Sequence, residues 1–107
     1  MAVPDFQSIT LPLLQLMSDG AEHALWETVE PLSNEFKLTG EERRELIPWS
    51  GERRFDNGVL WAATYLSQSG LLEMTEPGRY RITARGREVL AEKPERVDLK
   101  YLERFRD

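Results

Sequence analysis

Arg53 and Arg54, followed by Asn57 and then by Thr64 and Gln68 further along one helical side, are side chains suited to holding and reading a polyanion. Arginine grips phosphate oxygens through charge-assisted, often bidentate hydrogen bonds, and these contacts fix register. Asparagine offers the donor and acceptor that match an adenine edge. A second basic pair, Arg79 and Arg81, alternates on one face of an extended segment, where it suits a flanking backbone. Plainer readings stand beside these. Asn57 is equally suited to cap a helix, and Arg79 and Arg81 to line a solvated strand face.

Other chemistries find little support. His23 is the single histidine, flanked by Glu22 and Ala24 near a helix start, where a surface or capping role is expected. With no cysteine either, thiolate catalysis, disulfides and the usual zinc sites are excluded. Gly51, Gly58, Gly70 and Gly78 are too scattered for a phosphate loop. Pro4-Asp5 with Asp98-Leu99-Lys100 spells the acid and acid-x-lysine elements of a metal-dependent nuclease. Such a site needs its acids on adjacent buried strands, whereas Asp5 lies near a chain end and Asp98 where a helix cap is expected. No catalytic residue, metal or cofactor is therefore expected.

The net charge of −5 over 107 residues opposes nucleic acid on its own, but the charge is unevenly spread. Residues 1–50 carry nine acids and three bases; residues 51–107 carry ten acids and eleven bases. Arg53, Arg54, Arg79, Arg81, Arg85 and Arg87 face only Asp56, Glu73 and Glu76 within 53–87. The positive charge thus gathers on one part of the chain. The composition, with 40% apolar and 31% charged residues, fits one core in one small domain, read over 1–107 and compatible with excision from a longer protein. No stretch reads as a signal peptide or a membrane span, and a cytoplasmic setting is expected.

These residues must be positioned by local structure. Phe6, Ile9, Leu13, Leu16 and Met17 recur at helical spacing over 6–17, with Pro12 inside. Ala24, Leu25, Val29, Leu32 and Phe36 mark a second helix over 24–36, with a bend or break expected near Pro31. Thr39-Gly40-Glu41-Glu42 fits a capping box opening a short helix to about 46, whose charges read as a solvated face. Residues 47–52 read as a loop, with Trp49 exposed or at an interface. Asp56 or Asn57 can cap the next helix, about 56–69, which buries Val59, Ala62 and Leu66 and ends at Gly70. Trp61 and Tyr65 read as core. Period-2 alternation on either side of Glu76-Pro77-Gly78 predicts a hairpin over 72–83. Thr83 and Asp98 can cap two further helices. The sum is a mainly α fold with a small β-hairpin, a winged helix-turn-helix with extra terminal helices.

The run Arg53-Arg54-Phe55-Asp56-Asn57…Trp61-Ala62…Thr64-Tyr65-Leu66…Gly70-Leu71-Leu72 resembles the N-terminal domain of Mrr-type restriction endonucleases. So do Tyr80-Arg81-Ile82-Thr83…Gly86-Arg87-Glu88-Val89-Leu90 and Asp98-Leu99-Lys100-Tyr101-Leu102. The resemblance implies a module that helps a modification-dependent restriction enzyme engage double-stranded, often methylated DNA. It also implies a tethered C-terminal nuclease domain in a longer parent, with no cleavage by this chain. The family commonly places basic residues along the exposed helix where this chain has Gly58, Ala63, Ser67 and Gln68, so weak, strongly salt-sensitive binding of the isolated domain is expected, or tight binding only when it is tethered to another DNA-contacting domain. The competing reading is a protein-interaction or homodimerisation module using the apolar terminal helices.

Overall fold

The computed structural model describes residues 3–105. In chain order it holds α1 (Phe6–Leu16), β1 (His23–Ala24), α2 (Leu25–Glu35), α3 (Gly40–Arg44), α4 (Arg54–Gln68), β2 (Leu72–Glu76), β3 (Arg79–Ile82), α5 (Ala84–Ala91) and α6 (Leu99–Leu102), which runs into a 3-10 turn (Glu103–Phe105). The fold is mainly α with a small antiparallel sheet in the order β1-β3-β2.

Most helices start where short polar side chains meet orphan amides. Asp5 accepts from the Ser8 amide at 3.0 Å, and Thr83 accepts from Gly86 at 3.0 Å. Thr39 and Glu42 form the predicted reciprocal box, with bonds of 2.8 and 3.1 Å. Glu42 is consequently buried, so not all of the α3 charges form a solvated face. Pro12 and Pro31 both sit inside unbroken helices. The carbonyls they leave without an amide belong to Ser8 and Glu27, whose residues are exposed, so solvent can satisfy them and neither helix breaks.

α1 packs along α4, and the core joins Ile9, Leu13, Leu14 and Met17 to Phe55, Val59, Ala62, Ala63 and Leu66. Leu71, Leu72, Tyr80 and Ile82 close it from the sheet, and Val89, Val97 and Leu102 from the C-terminal segments. Each fully buried large apolar side chain contributes about 1.5–3 kcal/mol. α4 ends in a Schellman turn: Gly70 has φ +80°, its amide donates to Ser67, and the Leu71 amide donates to Leu66 at 2.9 Å. That turn drops the chain directly into β2. A Cβ on the buried Gly86 of α5 would overlap the Leu71 carbonyl, so this close approach needs glycine.

The hairpin is larger than its sequence suggests, because β1 adds a third strand. His23 pairs with Tyr80 and Ala24 with Arg79, while Leu72 pairs with Ile82 and Met74 with Tyr80. Two residues of strand have no periodicity to read, so only the pairing reveals β1. The Pro77-Gly78 turn is also tied down. The Leu25 amide, at the start of α2, donates to the Gly78 carbonyl at 2.8 Å.

Candidate nucleic-acid interface

The candidate interface centres on the N-terminal end of α4, and the helix starts earlier than expected. Arg53 is its N-cap and Arg54 its first residue, so neither Asp56 nor Asn57 caps it. The reason is a backbone cap from the preceding segment. Residues 45–54 fold back as an arm: the Arg54 amide donates to the Glu45 carbonyl and the Ile47 amide to the Glu52 carbonyl, each at 2.8 Å, with a bridge between Leu46 and Arg53. Asp56 then falls in the first turn, where a negative charge suits the helix dipole, and binds Arg43 at 3.0 Å. The Asn57 side-chain amide donates to Glu52 at 2.9 Å. Arg54 is held by Glu45, 2.7 Å from its Nε, which is buried and out of line for a hydrogen bond.

Arg53 is exposed and has no carboxylate partner among the described residues, and the same holds for Arg44. Both line an open concavity with Arg43, Thr39 and the α2 residues Glu30 and Asn34. Arg43 and Arg44 escape a sequence reading because they are two charges among many on α3. Only the packing of that short helix against α4 puts them beside Arg53.

Further along α4, Asn57, Trp61, Thr64 and Gln68 form one ridge at spacings of three and four, opposite the buried line of Val59, Ala62, Ala63 and Leu66. Trp61 is 47% exposed and so is Leu60 beside it, which corrects the placement of Trp61 in the core. The helical period carries this signal: Trp61 lies two residues from Val59, about 200° round the helix. Tyr65 is half-buried and stacks on Phe6 with ring centroids 5.0 Å apart. Thr64 turns its hydroxyl onto the Leu60 carbonyl at 2.9 Å, and Gln68 is exposed near the helix end. Gly58 and Ala63 do not belong to the outward face. A Cβ at Gly58 would lie 3.0 Å from Ile9, and Ala63 is fully buried. Basic residues at those two positions would meet the core.

The wing arginines are neutralised. Arg81 lies across from Glu73 in the β2–β3 ladder, its Nε 3.0 Å from the carboxylate. Arg79 donates to Glu22 at 2.8 Å and has Glu76 at 4.0 Å. Glu22 also accepts from the Thr75 hydroxyl. That bond first, and the Arg79 bond second, hold the Glu22 carboxyl below its ordinary range, so it is an anion at neutral pH. The register that places both arginines on one sheet face places the three acids there too.

The acidic pair of the nuclease-like spelling is used for capping. Asp5 caps α1, and Asp98 caps α6 by accepting from Tyr101 at 2.9 Å. His23 contacts Asp19 at 2.9 Å, and that hydrogen bond is the main cause of the lowered Asp19 pKa. No group of three or more metal-ligating side chains comes together among the described residues. No helix among them is long and apolar enough to cross a membrane.

The Mrr N-terminal domain family matches residues 6–92, so the chain belongs to that family. Neither a curated protein nor a solved structure matches it. Residues 93–105 lie beyond the match but are built into the core. Val97 and Leu102 are buried, and Arg104 and Tyr101 both bind Glu92.

Proposed function

We propose that this member of the Mrr N-terminal domain family docks on double-stranded DNA as a winged helix, with α4 as the recognition helix. In this reading Arg53 and Arg44 contact the phosphate backbone where α4 enters the major groove, and Asn57, Thr64 and Gln68 face the bases. Arg54 supports the helix start, and Arg79 and Arg81 contribute once their carboxylate partners are displaced. The observation that carries the reading is the pair of arginines at the N-terminal end of α4, exposed and without a carboxylate partner among the described residues, at the end that approaches base edges in helix-turn-helix proteins. The domain positions the protein on DNA and has no cleavage chemistry of its own. A tethered nuclease domain in a longer parent performs that step.

Few free cations mean low affinity and a salt dependence shallower than the strong one expected from the sequence, because the slope scales with the number of phosphate contacts. Titration of a fluorescent duplex at low and moderate salt tests this. Binding that weakens as salt rises is expected; no binding at low salt overturns the reading.

A second reading is favoured by one observation, the exposure of Leu60 and Trp61 side by side on the α4 ridge. They suit a protein contact, including one with a second copy of the chain. Sedimentation at high concentration separates the two: a monomer that binds DNA supports the first, and a dimer broken by Trp61→Ala supports the second.

A further inference from the structure

We infer that Trp49 stacks on a nucleobase of the DNA beside the entry point of α4. This rests on the DNA-docking reading and deepens it.

Trp49 is 85% exposed, more than any other large apolar side chain among the described residues. Tryptophan has the largest apolar body of any side chain and is usually well covered, so such exposure on an ordered segment points to a contact made elsewhere. The segment is ordered by its own hydrogen bonds. The Gly51 amide donates to the Ile47 carbonyl at 2.9 Å, closing the tip, and the bonds and bridge at 45–54 close the base. Gly51 has φ +74°, which lets the tip turn that tightly. The indole is therefore presented by a rigid arm, with little ordering left to do on binding.

Its neighbours indicate which partner it suits. Pro48, Ser50, Gly51 and Glu52 around it are all exposed, and the nearest exposed large hydrophobic side chain in sequence, Leu46, sits at the arm's base. Trp49 is thus a single protruding ring, whereas a protein-docking surface is built around a contiguous apolar patch. The arm leads directly into Arg53, whose guanidinium is free of carboxylates among the described residues. A flat π-surface at the tip of an arm whose base carries a backbone-holding cation supplies the two contacts that bind unstacked bases. It acts on whichever base is easiest to unstack and so favours duplexes with a local defect.

The test uses the 107-residue chain with a perfect duplex and the same duplex carrying one bulged adenine. Wild type is expected to prefer the bulged duplex. Trp49→Ala should lose about 5- to 100-fold on it and less on the perfect duplex, while Trp49→Phe keeps most of the affinity. In a Trp26→Phe/Trp61→Phe background, the emission of Trp49 should be quenched as DNA saturates. If Trp49→Ala binds both duplexes like wild type while Arg44→Ala/Arg53→Ala weakens both, the inference falls and the docking reading stands. If wild type binds neither duplex, both fall. If the DNA-free chain self-associates and Trp49→Ala abolishes this, the ring is a protein contact and the inference is overturned.

Discussion

The start of α4 and the β2–β3 hairpin each carry arginines at positions that suit DNA, yet they present very different charge. At the helix start, Arg44 and Arg53 are exposed beside an open concavity, and acids take up only Arg43 and Arg54. On the hairpin, Arg79 and Arg81 both face carboxylates, and the turn is tied to α2. The hairpin arginines sit on the central strand of an open three-stranded sheet with acids set against them, and the exposed arginines without such acids among the described residues sit at the helix start. What a charged residue offers a partner depends on what its fold has already set against it.

The largest effect is expected where the α4 face is buried. Ala63→Arg drives a guanidinium into the buried core and should destabilise the domain by more than about 3 kcal/mol, read by thermal or urea unfolding. A folded variant with tighter DNA binding would show that this face is free after all. Next, Arg44→Ala/Arg53→Ala should weaken duplex binding about tenfold at low salt and reduce the salt slope by about two, as expected for two lost phosphate contacts. Arg79→Ala/Arg81→Ala should stay within about twofold, because those charges are already compensated. A larger loss from the wing pair than from the helix-start pair would reverse the comparison.

A smaller change, in the opposite direction, should follow from freeing the wing. Glu22→Gln/Glu73→Gln leaves Arg79 and Arg81 without their closest acids and should tighten binding about two- to fivefold at low salt, with the gain fading as salt rises. Unchanged affinity would mean the hairpin never reaches the DNA. The smallest effect concerns a third arginine site, far from both. Arg104 first, and Tyr101 second, pull the Glu92 carboxyl down to about 2 from an ordinary 4.5. A carboxyl depressed by folding adds stability above its unfolded value and loses it as pH falls toward the folded one. The melting temperature of wild type should therefore exceed that of Glu92→Gln above about pH 4.5, and the gap should close toward pH 2. The group is exposed, so the gap is small. A gap that persists at pH 2 would assign the difference to packing.

Much of the fold is legible because its signals are local. Thr39, Thr83 and Asp98 each announce a helix start through a bond three residues long. Gly70 announces the end of α4, and Pro77-Gly78 the hairpin turn. The failures are where a distant segment supplies what a local signal would. The Glu45 carbonyl caps α4, so the helix begins two residues before its visible capping candidates. β1 exists only because β3 is there to pair with it. Residue type alone points Trp61 to the core, whereas its spacing from Val59 puts it outside, where it is half exposed.

The candidate site divides the same way. Residue type and spacing by themselves determined the family, the mainly α fold with its hairpin, and the arginines and Asn57 as the polar groups to watch. Those features depend on a few neighbouring residues, which a sequence displays directly. Only the tertiary structure decided which arginines are free, because the neutralising acids lie across a ladder or on another element: Glu22 is 57 residues from Arg79, and Asp56 is 13 from Arg43. Coulomb attraction falls with distance in space, and distance in space is what folding sets.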